Sequence, residues 1–187
     1  MNPPEPGRGA LLLCLDMQPA FVRAVAHGDA VLGRCRFAVA AARLLGLPVA
    51  FTEQVPQKLG GTDPGLLALV ERPAVFAKDT FSALAEGCPA RELLLPGAGV
   101  EHLLLCGVET PVCVYQTAVD ALRLGLAVTI LSDGVGARRE ADAAMCLQAL
   151  ARAGAHVLPS ESVFYSILGG AKHPSFRSYT ELVKNHA

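Results

Sequence analysis

His102-Leu103-Leu104-Leu105-Cys106-Gly107-Val108-Glu109-Thr110-Pro111-Val112-Cys113 is the stretch from which the architecture unfolds. The apolar run His102–Cys106 is too short for a helix and is closed by Gly107, so it reads as a buried strand. A tight turn follows, and then a helix: Thr110 is placed to cap it and Pro111 suits its first turn. A strand that passes through a short turn into a helix is the first half of a βαβ unit.

The same rhythm extends in both directions. Leu11–Leu15, Pro48–Thr52, Ala74–Ala77, Ala127–Leu131 and Ala155–Leu158 are further apolar runs of strand length. They lack polar alternation, as expected of strands covered by helices on both faces. Helical patterns lie between them at Ala30–Leu45, Pro89–Leu95, Val112–Leu124, Ala137–Ala153 and Ser175–Asn185. Gly125 and Gly154 follow two of these patterns as C′ glycines. The repetition predicts an α/β fold, a three-layer α/β/α Rossmann-like sandwich on an open parallel six-stranded sheet. Its expected strand order is 3-2-1-4-5-6. Glu53–Asp63, with Pro56, Gly60 and Gly61, breaks the rhythm and reads as a long functional loop.

Composition narrows the function. The chain has 187 residues, 52% hydrophobic and 18% charged, which fits one domain over residues 11–187 behind a loose tail at 1–10. Sixteen basic against seventeen acidic residues argue against a polyanion-binding surface, and 5% aromatics without Trp argue against base stacking, so no nucleic-acid partner is expected. No run reaches the roughly 18 apolar residues of a membrane span. The best, Phe37–Thr52, contains Arg43 and Pro48. Leu11–Leu15 stops at Asp16, too short for a signal-peptide core, so a cytoplasmic location is expected. The apolar excess and low charge point to a homo-oligomer. The six cysteines form no C-x-x-C pair and signal neither a disulfide frame nor a structural zinc.

In open parallel sheets, ligands bind beyond the carboxyl ends of the strands. Those ends carry Asp16 and Gln18; Glu53 and Gln54; Lys78 and Asp79; the Gly107–Cys113 turn; and Ser132 and Asp133. Cys113 falls in the first turn of a helix, where the dipole lowers a thiol's pKa and favours the nucleophilic thiolate. Cys14, Cys35, Cys106 and Cys146 read as small buried hydrophobes. His27, His102, His156, His173 and His186 all miss the strand ends, which disfavours a Cys–His pair. Asp16 follows apolar residues, and a carboxylate drawn out of water is a better base. Lys78 would favour both carboxylate and thiolate. With strand three two spacings, about 10 Å, from strand one, Lys78 must lean across strand two to reach them.

These residues resemble a family. Leu15-Asp16-Met17-Gln18 with Phe21, Lys78 with Phe81-Ser82-Ala83, and Gly107-Val108-Glu109-Thr110 with Cys113-Val114 are similar to the motifs of isochorismatase-like cysteine hydrolases. Thr52-Glu53-Gln54 with Pro56 and Leu59-Gly60, and His173-Pro174 with Phe176, look closer to the branch of isochorismatase domain-containing proteins and their bacterial relatives. The resemblance implies a catalytic triad of Asp16, Lys78 and Cys113. It also implies a non-proline cis peptide between Val108 and Glu109, and an oxyanion hole from the N–H groups of Glu109 and Cys113. Gln18, Phe21, Phe81, Ser82 and Thr110 are the expected substrate-binding residues.

Departures from the family pattern refine the expectation. Pro111 replaces an acidic or amide residue. Isochorismatases that cleave a vinyl ether carry glycine at the position of Cys113, so a thiol there implies amide or acyl chemistry. Nicotinamidases carry D-x-H-x-x-H after the second strand, where this chain reads Glu53-Gln54-Val55-Pro56-Gln57-Lys58. No metal and no cofactor are therefore expected. The expected function is hydrolysis of a C–N or acyl bond of a small molecule through a thioester. The alternative is a catalytically idle binding or assembly protein on the same scaffold. No G-x-G-x-x-G follows a strand, which argues against dinucleotide binding.

Overall fold

All six apolar runs become strands of one parallel sheet in the computed structural model, which describes residues 7–95 and 99–186. They are β1 (Ala10–Leu15), β2 (Val49–Gln54), β3 (Ala74–Lys78), β4 (His102–Val108), β5 (Ala127–Gly136) and β6 (His156–Leu158). Their order is β3-β2-β1-β4-β5-β6, so the topology switches between β1 and β4. That is the crevice where an open α/β sheet binds its ligand.

Successive strand residues face opposite sides, and the two cores follow that alternation. Leu12, Cys14, Phe51, Leu104 and Cys106 join a core built with α1 (Pro19–Val22), α2 (Gly28–Leu44) and α4 (Pro64–Leu67). The same core takes in α8 (Ser160–Leu168) and α9 (Phe176–Lys184). Leu11, Leu13, Leu15, Ala50, Leu105 and Ile130 join the other, with α5 (Arg91–Leu94), α6 (Tyr115–Arg123) and α7 (Glu140–Arg152). The short α3 (Pro56–Leu59) lies in the segment read as a loop, after β2 has run on to Gln54.

Several boundaries differ from the sequence reading, each for a local reason. Of the segment read as a loose tail, residues 1–6 lie outside the described residues. Gly7–Gly9 form a turn, and Ala10 opens β1 because the Gly9 carbonyl accepts from Glu101 and His102 N–H. Strand β5 was expected to end at Leu131 but continues to Gly136. Its register against β4 jumps at Ser132-Asp133-Gly134, and Val135 and Gly136 pair again with Gly107 and Val108. Helix α7 starts three residues later than expected.

Helix α8 was not anticipated. Its N-terminus is tied down by Asp133, which accepts from Ser160 N and Ser160 Oγ at 2.8 and 2.7 Å. Pro159 at its N-cap, Glu161 in its first turn and Gly169 after its end were legible signals for it.

Gly107 shows why the central strands need glycine. Its φ is 112°, and a Cβ there would stand 2.1 Å from the Leu15 carbonyl oxygen. Only a residue without Cβ lets β4 turn away against the end of β1.

Candidate active site

Residues from four elements meet at the switch between β1 and β4. Asp16 follows β1 with φ 53°, a left-handed conformation that Asp tolerates better than most residues. Lys78 is the last residue of β3 and pairs in register with Gln54 of β2. Its side chain crosses β2, as the strand order demands, and its Nζ donates to Gln54 Oε1 at 2.5 Å and to Asp16 Oδ2 at 2.8 Å. Both Lys78 and Asp16 side chains are fully buried. Nζ lies 3.6 Å from Cys113 Sγ and also donates to the Thr80 carbonyl. Asp16, Lys78 and Cys113 are thus brought together.

Cys113 sits in a π-helical turn, Thr110–Val114, that precedes α6. Tyr115 N–H reaches the Thr110 carbonyl and Val114 N–H the Glu109 carbonyl, the widened i→i+5 spacing. Such π-turns recur at functional sites. The peptide between Val108 and Glu109 is cis.

One electrostatic expectation is reversed. The thiol of Cys113 was expected to be acidified by the helix terminus. Instead burial, then the charge of Asp16, push it up to about 12, and Lys78 only partly opposes them. Cys113 is 5% exposed, and in this dry setting the loss of hydration dominates. At neutral pH Cys113 is therefore held as the thiol.

The expected substrate-binding residues separate into two groups. Gln18 and Thr110 are buried, and their polar atoms have intramolecular partners. Gln18 accepts from Gln54 N at 2.7 Å and donates to the carbonyls of Gln54 and Gly60, so it fastens the Glu53–Asp63 segment to the turn after β1. Thr110 does not cap the helix; its hydroxyl donates to the Gly136 carbonyl at 3.0 Å. Ser82 is buried, and its Oγ accepts from Leu84 N. Phe21 packs against the α2-side core, whereas Phe81 is 52% exposed. A depression of about 310 Å³ borders Lys78 and is lined by Val55, Pro56, Gln57, Asp79 and Pro89. Neither Phe21 nor Phe81 lines it. His102 and His156 open β4 and β6 at the opposite edge of the sheet.

A model of the isochorismatase domain matches residues 10–162. This chain belongs to the isochorismatase family. Isochorismatase domain-containing protein 2 of Bos taurus is 37% identical over 182 residues, 96% of this chain and 84% of that protein. A solved structure of MAR1 ribonuclease from Caenorhabditis elegans superposes with a TM-score of 0.89 at 30% identity, over 96% of this chain and 91% of that one. The YcaC gene product of Escherichia coli, described as an octameric hydrolase of unknown specificity, shares the fold at 19% identity. It has a TM-score of 0.83 and covers 100% of this chain and 98% of its own.

Within this isochorismatase-family fold, the sequence reading placed Thr52 and Gln54 near the end of the second strand without a site role, and it passed over Arg138. Thr52 donates its hydroxyl to Asp16 Oδ1 at 2.7 Å. Gln54 receives Lys78 on its oxygen and donates from Nε2 to the Asp79 carbonyl. Two residues apart on β2, they face the same side, and two buried polar residues at that spacing near a strand end are the signal that could have found them. Arg138 forms an ion pair with Glu109 at 3.0 Å beside the cis peptide, and no sequence signal links the two.

Proposed function

We propose that this isochorismatase-family hydrolase cleaves a C–N or acyl bond of a small molecule, with Cys113 as nucleophile and Asp16 as proton carrier. The observation that carries the reading is Lys78 Nζ, 2.8 Å from Asp16 Oδ2 and 3.6 Å from Cys113 Sγ, which gathers carboxylate and thiol around one ammonium. A thiol pushed up to about 12 cannot attack as a pre-formed thiolate at neutral pH. Asp16 therefore takes the S–H proton as sulfur bonds to the carbonyl carbon.

Charge then moves from sulfur to the carbonyl oxygen, where the N–H groups of Glu109 and Cys113 would receive it. Collapse breaks the C–N bond, and the departing nitrogen takes the proton from Asp16. Water adds to the thioester as Asp16 accepts its proton, and that proton returns to Cys113 as the acid leaves. Lys78 keeps positive charge between the two acceptors throughout. Thr52 ties up Oδ1 of Asp16 and so leaves Oδ2 on the Lys78 side.

A Cys113 only 5% exposed supports a small molecule as the partner. We further propose a cytoplasmic homo-oligomer with a single catalytic domain whose reaction uses no metal. Among the described residues no helix is long and apolar enough to cross a membrane. Phe81, Met145 and Tyr165 expose apolar surface that a second copy would cover. The octameric assembly described for YcaC is consistent with that.

Hydrolysis of a panel of small amides and acyl esters, with Cys113→Ala as the blank, tests the proposal. Turnover by the native chain and none by the variant is expected. Because a structural neighbour bears the name ribonuclease, the panel includes an RNA oligonucleotide, expected to stay intact. Cleavage of RNA alone, undiminished in Cys113→Ala, would refute the reading.

A further inference from the structure

Three of the cysteines that read as ordinary core hydrophobes come together in space. Cys14 of β1 and Cys106 of β4 are register partners, and Cys35 projects from α2 onto the same face. The three sulfurs lie within 4.8 Å of one another, and all three residues are 0–1% exposed. Cys35 Sγ also stands 3.2 Å from the Gly134 carbonyl, in the segment where β5 leaves its register. Sequence spacing hides the cluster, because its members come from two strands and a helix far apart in the chain.

We infer that Cys14, Cys35 and Cys106 form a buried site for one thiophilic closed-shell metal ion, Cu(I) or Zn²⁺, separate from the catalytic residues. Thiolate sulfur selects this class of ion over hard cations. Three bonds of about 2.3 Å require each sulfur to move inward by no more than roughly 0.5 Å. Each metal–thiolate bond replaces an S–H bond and releases its proton to solvent. With all three sulfurs as thiolates, Zn²⁺ leaves one net negative charge and Cu(I) two, so the ion cancels part of the charge its ligands bring into the core. Zn²⁺ seeks a fourth ligand, and the Gly134 carbonyl is at hand, whereas Cu(I) is suited by soft sulfur alone. With the sulfurs sealed from solvent, the ion enters as the chain folds.

The test refolds the full chain anaerobically under non-thiol reductant with Zn²⁺ or with Cu(I), then removes excess ion and measures metal per chain. The native chain and Cys113→Ala should each retain about one equivalent of one of the two ions, and Cys35→Ala at least about tenfold less. The retained ion identifies which of the two the site prefers. A second readout needs no variant: the loaded native chain is briefly exposed to urea and an alkylating agent, and its peptides are weighed. Cys14, Cys35 and Cys106 should be protected while Cys88 and Cys146 are labelled. Retention of neither ion, full retention by Cys35→Ala, or protection of other cysteines would overturn the inference.

Discussion

Around Cys113, burial and Asp16 push the thiol up to about 12, while Lys78 at 3.6 Å pulls the other way. Well below such a pKa, the thiolate population grows about tenfold per pH unit. Alkylation of Cys113 by iodoacetamide should therefore be slow at pH 7 and climb by about that factor per unit through pH 9, as followed by mass spectrometry of its peptide. A plateau below pH 8 would mean an acidified thiol. Lys78→Ala should slow the reaction at fixed pH by removing the favourable charge, and Asp16→Asn should leave it unchanged or faster. Lys78→Ala also strands a buried carboxylate, so urea denaturation should show a loss of about 3–5 kcal/mol. At this scale the sequence displayed Asp16, Lys78 and Cys113, because each ends or follows an apolar run. It did not display the direction of the thiol's shift, since the depth at which a turn residue lies is set by what packs over it.

Element by element, the site depends on how β1, β2 and β4 end. Gly107→Ala would drive a Cβ into the Leu15 carbonyl and force an L side chain to a φ of 112°. It should lose more than about 3 kcal/mol in urea denaturation, or fail to fold. Thr52→Val removes the hydroxyl from Asp16 Oδ1 without changing the side chain's shape. A hydrogen bond to a charged group contributes about 1.5–3 kcal/mol. If that orientation matters in the transition state, kcat should fall roughly 10–100-fold with KM little changed. The strands were readable because each is an apolar run closed by polar or glycine residues. Helix α8 was passed over although Pro159 and Gly169 mark its ends; what stayed hidden is its hold on the sheet, the bond from Ser160 N–H to Asp133, a residue that reads as the end of β5 until the register jump is seen. The roles of Thr52 and Gln54, though both were read near the end of the second strand, stayed hidden for a similar reason: their partners are Asp16 after β1 and Lys78 of β3.

For the whole molecule, alkaline pH is the weak side. Cys113 ionises near its ordinary value of 9.0 when unfolded but is held up to about 12 when folded, and burial also raises Tyr179. The folded state then binds more protons than the unfolded one, so this contribution is full below pH 9 and is lost as pH rises toward 12. Melting temperature should fall across that window, and less steeply in Cys113→Ala. The order of the strands was legible as a whole-chain pattern, since alternating elements leave few topologies, whereas the meeting of Cys14, Cys35 and Cys106 required the packed structure. The proposed cycle as a whole asks Asp16 to accept and return a proton in both halves, which asparagine cannot do. The most direct measurement is the intact mass of native and Asp16→Asn protein after mixing with an activated acetyl ester. Asp16→Asn should take up the acetyl group on Cys113 more slowly than the native chain and, once acetylated, keep it, while the native chain clears it. Clearance at the native rate by Asp16→Asn, or acetylation that spares Cys113, would contradict the mechanism.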